Sequence, residues 1–310
     1  MNPPAFRKEA SVGFHRELYK DLPPADELMA SYKQFIDTSR DADGFYYLVQ
    51  MIARRYGDKA YMLAEGVFRD LGLRFDSAAM RIPGKIRRVG YAFDGINIWV
   101  ANYDDATVTK LTAADGTQIG TYTTGGGPSD LAFDGANIWV ANSIDGTLYK
   151  IRASDGEVLA NRKVGEYPCA LAFDGESIWV ANCGDATLMK LKASDAKLMG
   201  TYTVAGTPSG LAFDGASLWV TSADDNTVTI LSTSDGTKLG TYRVGNYPVD
   251  LIFDGSHLWV GNVGDNTVTK LRASDGRVVG TYIVDFPEAL AFDGANVWVA
   301  NTAGGTLTKL

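Results

Sequence analysis

The stretch FDGANIWVAN, residues 133–142, returns with small changes six times along this chain of 310 residues. Its first residue recurs every 40 residues, with one step of 39, at Phe93, Phe133, Phe173, Phe213, Phe253 and Phe292. Each copy contains one of the six tryptophans of the protein. A repeat of about 40 residues that is built from short β-type runs is typical of one propeller blade. The sequence therefore predicts a mainly β fold, a six-bladed β-propeller, over residues 76–310.

The second copy shows how one unit divides into strands. Residues 129–133 and 137–141 form two apolar runs, and residues 147–151 and 158–164 form two more polar runs. Turn-forming residues separate these runs, so each unit predicts a four-stranded antiparallel blade. If the first turn is a two-residue hairpin centred on Gly135 and Ala136, Trp139 lies opposite Ala132. A large side chain then meets a small one, which allows neighbouring sheets to interdigitate.

The sixth unit extends only to its third predicted strand, at residues 306–310. Residues 78–82 fall at the repeat position that residues 240–242 occupy further along the chain. We expect residues 76–84 to complete the last blade as its outer strand and to cover an otherwise open sheet edge.

Residues 1–75 have helical rather than strand periodicity. Apolar residues recur at helical spacing in residues 5–22, 26–39, 44–56 and 58–71. This predicts a small N-terminal α-helical domain, and a bundle of this size is marginal by itself. We expect it to pack on the propeller or on a second copy, as a partner or homo-oligomer contact.

Composition excludes several classes of function. The formal net charge is −8, and residues 86–310 contain 16 basic and 25 acidic side chains. Such a surface repels phosphate backbones, so no nucleic acid is expected as a partner. No apolar stretch approaches the roughly 20 residues that span a bilayer, so no membrane is expected either. The first 20 residues are polar with no apolar central region, so no signal peptide is expected and a cytoplasmic location is favoured. Two cysteines do not make a disulfide framework.

The repeat phrase and the Thr-Val-Thr-Lys-Leu run that comes after it resemble the propellers related to streptogramin lyases and to NHL and YVTN repeats. The resemblance covers roughly residues 77–310. It implies the fold, together with a choice among lyases, sugar-lactone hydrolases and binding modules. Streptogramin lyases use a His/Glu set with a divalent metal. Neither His15 nor His257 matches that set, so the resemblance assigns no catalytic residue here.

Candidate site residues are those that differ between blades at one end of the propeller. There, the loops that lead into the first strands lie beside the loops that come after the second strands. The differing residues are Tyr103, Asp104, Asp130, Glu166, Tyr167, Cys169, Cys183, Asn246, Tyr247, Asp250, Asp285, Phe286 and Glu288. Aromatic rings mixed with carboxylates suit a cationic or hydroxylated small molecule, or a peptide. The alternative is that loop tips are simply polar and variable.

Other residues at the same end allow different interpretations. Carboxylates from facing blades can bind Ca²⁺ or Mg²⁺ through oxygen, and no other cofactor is predicted. Aspartates that recur two residues before Thr are interpreted as turn-formers that bond local backbone amides; they are Asp105, Asp145, Asp185, Asp225 and Asp265. Cys169 and Cys183 point to opposite faces if their hairpin turn has two residues, and oppose each other if it has three. The favoured interpretation is two small buried residues.

Two functions from different classes are consistent with these patterns. The first is a binding or interaction module with a ligand site at the channel mouth. The alternative is a metal-assisted lyase or hydrolase that uses the mouth carboxylates. Near-identical blades favour the binding module, because catalysis usually requires asymmetric groups such as a positioned base.

Overall fold

The computed structural model describes residues 90–301 and 306–310. Within those ranges it contains 23 strands in six antiparallel sheets, and each sheet uses consecutive strands. We call the sheets blades 1 to 6 in chain order. The helices expected in residues 1–75 and the strand expected in residues 76–84 lie outside the described residues. Among the residues described, none belongs to a helix with the length and hydropathy needed to cross a membrane.

Blades 1 to 3 each contain four strands. Blade 1 contains β1 (Tyr91–Phe93), β2 (Asn97–Asn102), β3 (Thr107–Thr112) and β4 (Gln118–Thr123). Blade 2 contains β5 (Pro128–Phe133), β6 (Asn137–Asn142), β7 (Thr147–Arg152) and β8 (Val158–Lys163). Blade 3 contains β9 (Pro168–Phe173), β10 (Ser177–Asn182), β11 (Thr187–Lys192) and β12 (Leu198–Thr203).

Blades 4 to 6 continue the same order. Blade 4 contains β13 (Pro208–Phe213), β14 (Ser217–Ser222), β15 (Thr227–Ser232) and β16 (Lys238–Arg243). Blade 5 contains β17 (Pro248–Phe253), β18 (His257–Asn262), β19 (Thr267–Arg272) and β20 (Val278–Ile283). Blade 6 contains, among described residues, β21 (Pro287–Phe292), β22 (Val297–Asn301) and β23 (Thr306–Lys309).

The first hairpin of each blade has the predicted register. In blade 2 the Asp134 amide donates to the carbonyl of Asn137 at 3.0 Å, which leaves a two-residue turn between them. Trp139 consequently pairs with Ala132. Gly135 has a φ of 97°, a conformation that a residue with a Cβ rarely adopts. The same position opposite the tryptophan is Ala in five blades and Ile in blade 5.

Each tryptophan is anchored by the aspartate of its own turn. The Trp139 indole Nε1 donates to Asp134 Oδ2 at 2.8 Å, and Asp134 Oδ1 accepts the backbone amides of Ala136 and Asn137. The equivalent indole bond is present in all six blades, at 2.6 to 2.9 Å. One carboxylate therefore organises the turn and also satisfies an indole N–H that would otherwise be buried without a partner.

A buried lysine connects the tryptophan to the next blade. Lys150 Nζ lies 5.2 Å from the centroid of the Trp139 ring and donates to the carbonyl of Ala193 in blade 3 at 2.5 Å. Lys110 and Lys190 make the same contacts from blades 1 and 3. The cation–π contact and the carbonyl bond offset the cost of removing the ammonium group from water.

Apolar clusters join each of blades 1 to 5 to the blade that comes after it. At the meeting of blades 6 and 1, the Tyr91 hydroxyl donates to the carbonyl of Leu290 at 3.0 Å, which connects the inner strands. Further out the packing differs. Leu307 of β23 is 68% exposed, whereas Leu148 at the same place in blade 2 is 0% exposed. The outer surface of blade 6 therefore presents apolar side chains to solvent.

In blades 1, 3 and 4 a tyrosine on the outer strand packs against a glycine of the next blade. The Tyr202 ring packs on Trp179 with centroids 5.4 Å apart. A Cβ built on Gly236 of blade 4 would lie 2.2 Å from that same tyrosine ring. Blade 2 instead has an arginine at the tyrosine position, and the next blade then has Ala196 at the glycine position. The aromatic ring therefore requires the glycine.

This coupling predicts the effect of adding a methyl group. Gly236 and Gly116 occupy the same turn with φ values of 72° and 73°, but nothing lies within 4 Å of a Cβ on Gly116. Gly236→Ala should lose about 1–3 kcal/mol more unfolding free energy than Gly116→Ala, because only the first meets a packed ring. Urea denaturation measures both variants. Equal losses would show that Tyr202 moves aside without cost.

The turn aspartate of blade 5 predicts an acid-sensitive fold. Burial raises the pKa of Asp254, but hydrogen bonds from the Trp259 indole and from the amides of Ser256 and His257 outweigh it and lower the pKa to about 2. A lowered pKa stabilises the fold above pH 4, and this stability is lost as the pH falls from about 4 to about 2. Thermal denaturation across this range measures the loss. Asp254→Asn should show a shallower dependence, and an unchanged slope would contradict this role.

The open outer surface of blade 6 bears on the expected strand at residues 76–84. Deletion of residues 1–84 should lower the melting temperature or promote association, because β23 would lose the strand expected beside it. Deletion of residues 1–75 is the matched control, since it keeps that strand. Calorimetry and light scattering report both effects. If the longer deletion leaves a monomer with an unchanged melting temperature, the expected strand has no structural role.

Candidate functional site

Among residues 90–301 and 306–310, ten loops gather at one end of the propeller, which we call the mouth. The strands alternate in direction, so the ends of the second strands lie beside the starts of the first strands. The loops that come after second strands are residues 103–106, 143–146, 183–186, 223–226 and 263–266. The loops that lead into first strands are residues 124–127, 164–167, 204–207, 244–247 and 284–286. All the candidate residues from the sequence lie in these loops or at the adjacent strand ends.

Three aromatic residues at the mouth have a left-handed backbone. Tyr167, Tyr247 and Phe286 have φ values of 57°, 53° and 55°, and each precedes the proline that begins a blade. In blade 2 the same position is occupied by Gly127, with a φ of 66°. A bulky residue in this region is an outlier that costs on the order of 1–3 kcal/mol. The sequence indicated these aromatic residues but not their conformation.

Two asparagines hold the left-handed segments in place. Asn226 Oδ1 accepts the backbone N–H of Tyr247 at 2.8 Å, and Asn266 Oδ1 accepts that of Phe286 at 3.2 Å. Both asparagines themselves have a φ of 57°, which asparagine tolerates better than most residues. Blades 1 to 3 have Ala or Gly at this place. The change from Ala or Gly in blades 1 to 3 to Asn in blades 4 and 5 was the available sequence signal for these contacts, and the sequence analysis did not use it.

Hydroxyl groups from blades 1 to 3 meet on one side of the mouth. The Tyr103 and Tyr167 hydroxyl oxygens are 3.1 Å apart, and Ser143 Oγ donates to the Tyr103 hydroxyl at 3.5 Å. Tyr103 belongs to blade 1 and Tyr167 leads into blade 3, so their hydroxyl groups meet although blade 2 lies between the two blades. These side chains consequently lie over the mouth and not at the boundary between two consecutive blades.

The side of the mouth formed by blades 4 to 6 is apolar. Ala223, Tyr247, Val249 and Val263 form a buried cluster, and Phe286 packs against it. This cluster is separate from the clusters that join consecutive blades. The mouth therefore has a half with hydroxyl groups and a half with apolar side chains.

Two of the candidate carboxylates link neighbouring inner strands. Asp130 Oδ2 accepts the backbone N–H of Leu171 in blade 3 at 2.7 Å, and Asp250 Oδ2 accepts that of Leu290 in blade 6 at 2.8 Å. These are charge-assisted bonds between blades, which stabilise the arrangement of the first strands. The sequence grouped both residues with the ligand-binding candidates, and the structure gives each of them a contact that serves the fold.

The remaining candidate carboxylates lie nearer solvent. Asp104 and Glu166 are exposed on their loops, and Glu288 is half-buried at an irregularity near the start of β21. Among residues 90–301 and 306–310, no group of three or more His, Cys, Asp or Glu side chains is arranged to hold a metal ion. The divalent cation anticipated from the sequence stays a prediction.

The recurring aspartates of the loops do bond backbone amides. Asp145 Oδ2 accepts the amide of Gly126 at 2.6 Å, and Asp185 Oδ2 accepts that of Glu166 at 2.9 Å. Asp265 does the same for the loop leading into its own blade. The amides lie 19 residues earlier in the chain, so these aspartates join two loops of the mouth instead of closing a local turn.

Cys169 and Cys183 form a disulfide, which corrects the interpretation of two buried thiols. Their Cα atoms are 6.1 Å apart. The hairpin turn has two residues, as in the other blades, because the Asp174 amide donates to the carbonyl of Ser177. The register shifts between Ala181 and the next residue of β10, so that β9 holds one extra residue. A bulge of this kind re-aims a side chain, and the proline directly before the extra residue was the available sequence signal.

Comparisons with known proteins identify the fold. No protein-family model matches the chain, and no curated protein sequence matches it. The solved structure of a streptogramin B lyase is similar at 19% identity, with a TM-score of 0.61 over 71% of this chain and 77% of that one. The chain is a six-bladed β-propeller.

Two further solved structures share this architecture. A functionally unknown protein from Desulfotomaculum acetoxidans DSM 771 is 16% identical, with a TM-score of 0.60 over 70% of this propeller chain and 79% of its own. Hydrazine synthase of Kuenenia stuttgartiensis is 14% identical, with a TM-score of 0.54 over 74% and 96%. At these identities the likeness concerns the fold alone.

Proposed function

We propose that this protein is a binding module whose propeller presents a site for a small ligand or a peptide at its mouth. The observation that carries the proposal is the left-handed conformation of Tyr167, Tyr247 and Phe286. Blade 2 makes the same connection with Gly127, so the fold does not need an aromatic residue there. Strained residues of this kind cluster at ligand sites, where the side chain offsets the backbone cost.

The two halves of the mouth favour a ligand with two kinds of surface. The hydroxyls of the half-buried Tyr103 and Tyr167 suit a hydroxylated or cationic group, and the half-buried Phe286 beside the Tyr247 cluster suits an apolar group. The mouth loops that the structure describes contain nine Asp or Glu residues and no Lys or Arg. Aromatic faces and a negative potential both attract cations. An organic cation or a basic peptide is therefore the favoured class.

The same proposal leaves residues 1–75 as the contact for a partner or a second copy. A metal-assisted lyase or hydrolase of the streptogramin-lyase-like type is the alternative. The likeness to a streptogramin B lyase motivates it at 19% identity, which is a likeness of fold. Ca²⁺ or Mg²⁺ held by mouth carboxylates would then be required.

Substitution of the strained aromatic residue tests the binding module. Tyr167→Gly copies the residue of blade 2 and removes the ring without straining the backbone. Benzyltrimethylammonium, a lysine-rich peptide and maltose serve as probes in thermal-shift and NMR titrations. We expect the first two to bind the native protein and to bind Tyr167→Gly about tenfold more weakly, the loss expected when a cation–π contact is removed.

The controls separate binding from folding. Phe93→Ala removes an exposed aromatic ring at the end opposite the mouth and should leave the affinity for both cationic probes unchanged. Equal affinity of Tyr167→Gly and the native protein, or no binding of any probe, would overturn the proposed site. Strong stabilisation by CaCl₂ or MgCl₂ that Asp130→Asn abolishes would support the enzyme alternative.

A further inference from the structure

The disulfide occupies a place that other blades fill without a covalent bond. In blade 3 the disulfide joins two positions. Cys169 is the extra residue near the start of the first strand, and Cys183 is the first residue after the second strand. Blade 2 has Ser129 and Ser143 there, blade 4 has Ser209 and Ala223, and blade 5 has Val249 and Val263. The blade fold therefore does not depend on a link between these positions.

Backbone hydrogen bonds already close the same part of blade 3. The amide of Cys183 donates to the carbonyl of Tyr167 at 3.0 Å, and that of Gly184 donates to the carbonyl of Glu166 at 2.9 Å. The matching bond in blade 2 is formed without cysteine. In the unfolded chain these ends are free, so the disulfide still stabilises the fold by constraining that state. In the folded protein, however, backbone hydrogen bonds close this part of the blade whether or not the sulfurs are joined.

The two sulfurs lie against the next blade. Cys169 Sγ is 3.3 Å and Cys183 Sγ is 2.8 Å from the carbonyl oxygen of Pro208 in blade 4. At the matching boundaries, the hydroxyls of Ser129 and Ser209 donate to the proline carbonyl of the next blade at 2.8 and 2.7 Å. A disulfide has no hydrogen to donate, whereas thiols do. The oxidised form thus replaces an interblade hydrogen bond with a covalent bond inside blade 3.

The disulfide also constrains the mouth. Cys169 comes two residues after Tyr167, and the Cys183 amide holds the carbonyl of Tyr167. Tyr167 has the left-handed backbone and places its hydroxyl 3.1 Å from that of Tyr103. The disulfide therefore adds a covalent link to the backbone bonds that hold the C-terminal end of the strained segment 164–167.

We propose that the Cys169–Cys183 disulfide is a redox switch that sets the order of the segment 164–167 at the mouth. A dithiol reductant opens the bond, and only the backbone hydrogen bonds to Cys183 and Gly184 then hold the segment. The segment opens more often, and the contact between Tyr167 and Tyr103 breaks each time it does. At the same time a thiol of blade 3 donates to the Pro208 carbonyl, as serine does at the matching boundaries. This inference goes beyond ligand binding and does not require it.

The chemistry is thiol–disulfide exchange with a dithiol. A thiolate of the reductant attacks Cys169 Sγ, because Cys169 is half-buried while Cys183 is 6% exposed. Cys183 leaves as a thiolate and takes a proton. The second thiol of the reductant then displaces Cys169, which also takes a proton, and the reductant becomes a cyclic disulfide. Two electrons and two protons pass to the protein.

Thiol counting and hydrogen exchange on the full chain test the switch. Without reductant, a maleimide reagent should label no thiol in the native protein, and after dithiothreitol it should label two. Amide exchange in residues 164–167 should then accelerate about tenfold. The exchange rate reports the free energy of local opening, and this free energy falls when the covalent link is removed. Residues 124–127 of blade 2 have no cysteine nearby and should not change.

Serine variants supply the matched controls. Cys169→Ser with Cys183→Ser copies blade 2, and Cys169→Ser with Cys183→Ala copies blade 4 if the first pair does not fold. Either pair should exchange like the reduced protein, with or without dithiothreitol. Three results would each overturn the switch: thiols labelled before reduction, a bond that dithiothreitol opens only in denaturant, or equal exchange of residues 164–167 in both oxidation states.

Discussion

The hydrogen bond from each indole to the aspartate of its own turn underlies most of this architecture. Asp134 fixes a two-residue turn through backbone amides and fixes Trp139 through its other oxygen. Because the indole N–H is satisfied within its own blade, the ring can be buried completely between blades. Its face then receives Lys150, which reaches the carbonyl of the next blade. Turn, register and interblade contact thus depend on one pair of side chains.

Much of the fold could be predicted because the same strand and turn pattern occurs six times in the sequence. The spacing indicated the number of sheets, and the Asp-Gly turn indicated the pairing of Trp139 with Ala132. The role of Lys150 was not predictable. The alternation of polar and apolar residues in its strand indicates a half-exposed strand, whereas Lys150 is buried because it bonds a carbonyl in the next blade. The bulge that brings Cys169 to Cys183 comes directly after the proline that begins blades 2 to 6, and that proline was not interpreted as a bulge signal. Ser, Cys, Val and Glu all occupy that position, so the disulfide was not foreseen.

The site was predictable in composition and not in geometry. The residues that differ between blades do lie together at the mouth, yet Asp130 bonds a backbone amide of the adjacent blade, which only coordinates can show. The left-handed backbone of Tyr247 depends on the amide group of Asn226, and asparagine in a loop is too common to indicate this by itself. The disulfide also bears on location, because such bonds persist in oxidising compartments while the cytoplasm keeps thiols reduced. The expected cytoplasmic location rested on a polar N-terminus alone.

The pairing of Tyr202 with Gly236 has a consequence for how repeats of this kind can be recombined. The ring belongs to one blade and the space that receives it belongs to the next, so a single blade is not a self-sufficient module. Transplanting the blade that contains Ala196 to a place behind a tyrosine-bearing blade would set a methyl group against the ring. Blade shuffling therefore preserves the packing only when a tyrosine-bearing blade precedes a blade with glycine at this position, and an engineer who lengthens this propeller should copy blade 4 rather than blade 3.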